Sequence, residues 1–119
     1  MIELPFPHKL LWPNGRTRNF MARAGEFKKH KHWGYLAARA IIPRGAVRWT
    51  GGRVQWSATF YPKTRNKIDD DNARASLKAY QDGIALALGI NDSEFDAPTI
   101  HFAEPVKGGR VVIVIGEGV

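Results

Sequence analysis

An amphipathic stretch near the middle of the chain most constrains what the chain can fold into. Its apolar residues recur at spacings of three and four, which is the period of a helix with one buried face. These residues are Leu77, Tyr80, Ile84 and Leu88. Gly89 stands where a helix C-terminus favours glycine, and Asp71 or a neighbour stands where an N-cap belongs. Because β-like segments lie on both sides of this helix, the fold must combine helices with a sheet.

Alternation of apolar and polar residues predicts a strand before the helix. Every second residue from Val54 to Phe60 is apolar, as in a strand with one buried face. Residues 47–50 precede this strand across Gly51-Gly52, which predicts a tight hairpin.

A second hairpin is predicted after the helix. Residues 99–103 and Arg110–Ile115 have strand-like composition, and the turn residues Gly108-Gly109 lie between them. Residues 2–6 add a short first strand.

An earlier helix is predicted over residues 20–40, ending at Pro43 and Gly45. Its expected buried face consists of Phe27, Lys31, Gly34 or Tyr35, Ala38 and Ile41. The sequence therefore predicts one domain over residues 1–119, of the α+β (mixed α/β) class. Four to five mostly antiparallel strands would carry two main helices packed on one face of the sheet.

The charge of the chain favours a polyanionic partner. Eighteen Lys and Arg stand against eleven Asp and Glu, and the isoelectric point is about 10.1. Nucleic acid is the commonest such partner of a small basic domain. The absence of cysteine excludes disulfides, thiolate zinc sites and cysteine nucleophiles. The first residues do not resemble a secretory signal, and no apolar run approaches the ~20 residues of a membrane helix. We therefore expect a cytoplasmic protein.

Three consecutive aspartates open the central helix of this basic chain. One or two would be explained as helix caps, but three repel one another unless a cation neutralises them. In extended backbone Asp69 and Asp71 point to the same side, whereas Asp70 points away and is a bystander or a cap. Two carboxylates on one side suit Mg²⁺, which prefers oxygen ligands and keeps several waters.

A lysine and further acids follow the aspartates. Lys78 leans back toward them along the helix, although it is also spaced to pair with Asp82. Asp92, Glu94 and Asp96 lie just past the helix, and only the tertiary fold can bring any of them near the first two aspartates.

Basic side chains in two regions are predicted to hold a DNA backbone through phosphate contacts, or else to be ordinary solvated loops and helix faces. They are Lys28, Lys29 and Lys31 in the first helix and Lys63, Arg65 and Lys67 in the loop before the aspartates, and Arg74 in the central helix is a further candidate. His30 and His32 are expected on the same solvated basic face. Aromatic residues are candidates either for stacking on bases or for the core. They are Trp12, Trp33, Tyr35 and Trp49.

Several short motifs together resemble the RusA family of phage-borne Holliday-junction resolvases. They are "DDDN" at the helix start, Lys78 and Asp82-Gly83 within it, "GIND" after it, "VQWSATFYP" before it and "LPFP" near the N-terminus. The likeness runs from Leu4 to the final strands. It implies a Mg²⁺-dependent endodeoxyribonuclease of DNA recombination and repair, acting as a homodimer that nicks four-way junctions in pairs. It also implies catalytic, metal-binding roles for Asp69, Asp71 and Asp92.

Two positions depart from the family pattern. The pair that is commonly two adjacent aspartates is Asn91-Asp92 here, and the usual lysine position holds Ala75. Lys78 is then the candidate catalytic lysine, with Arg74 as the alternative. A different class of function stays open: a non-catalytic DNA- or RNA-binding module whose aspartates only cap a helix.

Overall fold

The structure is a computed structural model that describes residues 1–13, 20–41, 52–65 and 67–116. These residues form a four-stranded sheet and three α-helices. The predicted α+β class is confirmed. In chain order the elements are β1 (Ile2–Leu4), α1 (Phe20–Ile41), β2 (Trp56–Tyr61), α2 (Asp70–Ser76), α3 (Lys78–Leu88), β3 (Thr99–Phe102) and β4 (Arg110–Ile115). Short 3-10 turns lie at Lys9–Leu11 and Asp92–Glu94.

The strands lie in the order β1-β4-β2-β3. β4 is antiparallel to both β1 and β2, whereas β3 runs parallel to β2, with Phe102 beside Phe60. The predicted hairpin between residues 99–103 and Arg110–Ile115 is therefore wrong, because β2 lies between those strands. β2 and β4 bury every second residue and take the interior of the sheet, whereas β3 is mostly exposed and takes the edge.

The two turn predictions have different outcomes. Gly108 and Gly109 have φ of 79° and 68° and form the expected turn, but it joins strands that are not neighbours. Residues 47–50 of the other predicted hairpin lie outside the described residues, as do Pro43 and Gly45.

The core is one cluster formed by alternate residues of the strands and the inner sides of the helices. α1 buries His30, Gly34 and Ala38. The predicted face was right for Gly34 and Ala38, but Lys31 and Ile41 are exposed. The buried stripe runs through His30, one residue before Lys31, because α1 crosses α3 at that level.

Two glycines make the close crossing of α1 and α3 possible. A Cβ atom on Gly34 would lie 2.9 Å from the carbonyl oxygen of Tyr80. One on Gly83 would lie 2.0 Å from the carbonyl oxygen of Lys31 and 2.8 Å from the amide nitrogen of Tyr35. Such contacts are too short for real atoms, so only glycine fits at Gly83 without displacing backbone.

The predicted central helix is divided into α2 and α3 at Leu77. The Leu77 N–H donates to the carbonyl of Arg74, three residues earlier, at 3.2 Å, and its side chain is fully buried. This tighter turn separates the aspartates of α2 from Lys78, the first residue of α3.

Within the described residues, no helix is both long enough and apolar enough to cross a membrane.

Candidate functional site

Asp69 is the N-cap of α2. Its backbone is extended, and its Oδ1 accepts hydrogen bonds from the N–H of Asp71 at 2.8 Å and of Asn72 at 3.4 Å. The cap was expected at Asp71 or a neighbour, and the structure gives it to Asp69, two residues before Asp71. Since one oxygen of Asp69 serves the helix, its other oxygen is the one suited to a further ligand.

Asp71 already belongs to the helix, so it does not share an extended segment with Asp69 as the sequence interpretation required. Its side chain is 93% exposed, and its Oδ1 accepts a hydrogen bond from Arg74 at 3.4 Å. The Arg74 guanidinium also donates to the carbonyl of Pro98 at 3.4 Å. Arg74 therefore connects α2 to the segment before β3. This is a structural role in addition to the contact with DNA that the sequence predicts for Arg74.

Lys78 lies between two carboxylates. Its Nζ lies 2.8 Å from Oδ1 of Asp82, the pair that helical spacing predicts, and it also donates to Oδ2 of Asp92. Gln81 adds a hydrogen bond to the backbone carbonyl of Asp92 at 3.2 Å. The fold thus brings Asp92 back to the start of α3, against Lys78.

The charges of this cluster support one another. Burial acts to lower the pKa of Lys78, but its hydrogen bonds to Asp82 and Asp92 outweigh burial and raise that pKa. The hydrogen bond from Lys78 in turn holds the pKa of Asp92 below its usual value. The ion pair of Lys78 with Asp92 therefore holds the turn that carries Asp92 in place.

A groove of about 800 Å³ lies beside the aspartates, between the N-terminal segment, α1 and the loop that leads into α2. Its walls combine aromatic, basic and acidic side chains. They include Phe6, His8, Lys9, Trp12, Glu26, Lys29, His30, Trp33, Lys63, Lys67, Asp69 and Asn72. Asp69 is the candidate catalytic residue that lies in this groove.

The predicted DNA-binding residues divide into separate groups. Lys29, Lys63 and Lys67 line the groove with Asp69. Lys28 and Lys31 line a different, smaller depression on α1 with Phe27. Arg65 points away, with its guanidinium 3.0 Å from the carboxylate of Glu104 and both side chains 80% exposed.

His30 forms part of the floor of the groove and is 2% exposed, so its assignment to the solvated basic face is wrong. Its Nε2 accepts a hydrogen bond from the N–H of His8 at 3.2 Å. Its Nδ1 must therefore carry the proton, which it donates to the carbonyl of Glu26 at 2.7 Å. His32 is exposed, as predicted.

The burial of His30 makes stability depend on pH. Burial lowers its pKa below the ordinary 6.5, although the backbone and side chain of Glu26 act in the opposite direction. The unfolded chain binds a proton here before the folded chain does, so stability should fall as pH drops below about 6.5. We expect His30→Leu to flatten this dependence of the urea midpoint, and His32→Gln to keep it. An unchanged slope in His30→Leu would contradict this assignment.

The three candidate carboxylates fit a Mg²⁺ site only in part. No group of three or more His, Cys, Asp or Glu side chains within the described ranges is arranged to hold a metal ion. The predicted set of Asp69, Asp71 and Asp92 is thus not assembled around one point, since Lys78 engages Asp92. Mg²⁺ commonly takes only one or two protein carboxylates, and Asp69 with Asp71 at the start of α2 is a donor set of that kind.

The sequence interpretation missed several residues of the groove. Phe6, His8, Lys9, Glu26 and Asn72 line it, and of these only Phe6, in "LPFP", and Asn72, in "DDDN", stood in a motif. No spacing signal links α1 with the N-terminal segment, because they meet only through tertiary packing. Trp12 and Trp33 were candidates for base stacking, and both are half-buried in the groove. Trp49 lies outside the described residues.

Comparison with known proteins identifies a relative of this chain. No family model matches the chain. An uncharacterized protein of Xylella fastidiosa (strain Temecula1 / ATCC 700964) is 38% identical over 114 residues, which are 96% of this chain and 74% of that protein. Identity of this extent over most of both chains shows common descent. The chain belongs to the same family as this Xylella fastidiosa protein.

Proposed function

We propose that the protein is a Mg²⁺-dependent endodeoxyribonuclease that resolves four-way DNA junctions by paired nicking, in DNA recombination and repair. One observation carries the proposal: Asp69 lines the same groove as Lys29, Lys63 and Lys67. Lysines bind a phosphodiester backbone. A carboxylate beside them would lie next to the scissile phosphate of a strand bound in the groove. The motifs that resemble the RusA family are further support.

The side chains of the site would divide the work. Lys29, Lys63 and Lys67 neutralise backbone phosphates and orient the strand along the groove. The free oxygen of Asp69, with Asp71, would hold Mg²⁺. That ion supplies Lewis-acid stabilisation of charge on the phosphate and activation of a water.

The contact between Lys78 and Asp92, which their spacing in the sequence did not predict, gives Lys78 a structural role in this proposal. Their ion pair fixes the 3-10 turn Asp92–Glu94 against α3. We assign Lys78 the positioning of Asp92 beside the start of α3, in addition to its candidate catalytic role. A homodimer related by a two-fold axis would match the symmetry of a junction. Work on cellular DNA would place the protein in the cytoplasm, and the absence of cysteine is compatible with that reducing compartment.

A second function is favoured by the partners that the carboxylates already have. Asp69 caps α2, and Asp92 is paired with Lys78, as in a non-catalytic DNA- or RNA-binding module whose acids are structural. The basic groove would then bind nucleic acid without cutting it.

A synthetic four-way junction distinguishes these functions. The protein is incubated with end-labelled junction and with linear duplex of the same sequence, each with Mg²⁺ and with EDTA. We expect paired nicks in the junction only when Mg²⁺ is present, and binding of the junction without cleavage in EDTA. Binding with no nick under either condition would reject the nuclease, and equal cutting of the duplex would reject junction preference.

A further inference from the structure

We propose that the groove binds an unpaired nucleotide of DNA, with its base against the aromatic wall of Phe6, Trp12 and Trp33 and its backbone on the lysines. This inference deepens the proposed function and rests on it for the identity of the polymer. The inference adds that the protein recognises a base removed from the duplex, as well as the charge of the backbone.

The dimensions of the groove suit such a ligand. Its volume of about 800 Å³ falls within the range of sites that enclose small organic molecules. Phosphate binding alone needs no enclosed space, because a phosphate is satisfied by an exposed basic surface. A groove with aromatic walls therefore favours a ligand that also has a flat apolar part.

Two rings of the aromatic wall, those of Phe6 and Trp12, are held in place by contacts within the protein. The rings of Phe6 and Trp12 are stacked, with centroids 5.6 Å apart and planes 15° from parallel. The indole N–H of Trp12 donates to the carbonyl of Pro7 at 3.0 Å, and Phe60 packs against both rings from the core. Ring faces fixed in this way bind bases at little entropic cost, and stacking works for every base.

Polar groups around the wall match the rest of a nucleotide. Four lysines, Lys9, Lys29, Lys63 and Lys67, face two acids, Glu26 and Asp69, so the groove carries net positive charge.

The acidic side chain of Glu26 suits the edge of a base. Lys29 donates to its Oε1 at 3.0 Å and lies 5.2 Å from the ring centre of Trp33, which joins the basic and aromatic parts of the groove. The Glu26 carboxylate is 17% exposed. Its Oε1, which accepts from Lys29, has a second lone pair that can accept from an N–H group on the Watson–Crick edge of an unpaired base.

Two probes with the same phosphates test the inference. One is a fluorescently labelled eight-residue thymidine oligonucleotide, and the other has the same length but abasic residues. Binding is measured in EDTA, so that cleavage plays no part. We expect the probe with bases to bind roughly tenfold more tightly and to quench tryptophan fluorescence. Equal affinities with unchanged fluorescence would overturn the inference.

Matched variants locate the binding. Trp33→Leu keeps apolar bulk and removes the stacking surface, so it should reduce the preference for the probe with bases. Lys29→Ala should weaken both probes several-fold, whereas Arg39→Ala, which removes an exposed cation of the same helix outside the groove, should change neither. Full base preference in a folded Trp33→Leu, or equal effects of Arg39→Ala and Lys29→Ala, would contradict the proposed site.

The inference and the proposed function fail separately. A base preference in a protein that never nicks the junction would reject the nuclease and support the groove. Junction cleavage by a protein that binds both probes equally would support the nuclease and reject the groove.

Discussion

Gly83→Ala is expected to be the most destabilising single methyl addition in the described part of the chain. The new Cβ would lie 2.0 Å from the carbonyl oxygen of Lys31, and this is backbone that cannot rotate away. The two helices would have to separate along their crossing. Overpacking of this kind costs about 3 kcal/mol or more. The free energy of unfolding, measured by urea denaturation, should fall accordingly or the variant should fail to fold.

Gly25→Ala is the matched control, because Gly25 lies in the same helix α1 but has no atom within 4 Å of the position that a Cβ would take. Alanine is the better helix former, so this variant should gain about 0.5–1 kcal/mol. Equal stability of Gly83→Ala and wild type would show that α1 and α3 do not cross at Gly83.

Asp69→Asn is expected to reduce junction nicking by roughly 100-fold or more, because the charge that would help to hold Mg²⁺ is lost and this is worth several kcal/mol. Asparagine is as good an N-cap as aspartate, so α2 and the overall stability should be preserved. Nicking rates with Mg²⁺, junction affinity in EDTA and the urea midpoint together separate loss of chemistry from loss of structure.

Asp70→Asn provides the same change of charge one residue later. Asp70 is the first residue of α2, is exposed and does not line the groove. Its nicking rate should stay within about threefold of wild type. If both variants retain full activity, Asp69 has only its capping role. If both lose activity equally, the general charge of the helix start matters and the groove does not.

The sequence predicted the individual elements well, because local patterns report local burial. The alternation from Val54 to Phe60 matches the buried side chains of β2, and the helical stripe with Tyr80 and Ile84 matches α3. The pairing of strands was predicted less well. A glycine turn between residues 99–103 and Arg110–Ile115 favours a hairpin, but burial of β2 between those strands outweighs it.

Part of the candidate site could be read from the sequence, and part depended on the tertiary structure. Asp69, Lys63 and Lys67 are neighbours in the chain, and their combination of acid and base could be read directly from the sequence. Lys29 joins them because α1 packs across α3. His30, in an equally basic stretch, became a buried residue for the same reason.

The sequence by itself therefore determined the class of fold, the basic character of the chain and the aspartates at the start of a helix, since these follow from composition and short-range periodicity. Only the tertiary structure decided that Asp92 returns to Lys78, and that aromatic rings and lysines from distant segments line one groove. The physical reason is that such contacts depend on which helix faces are buried and how closely two helices approach. Here Gly34 and Gly83 set that approach through atoms far apart in the chain.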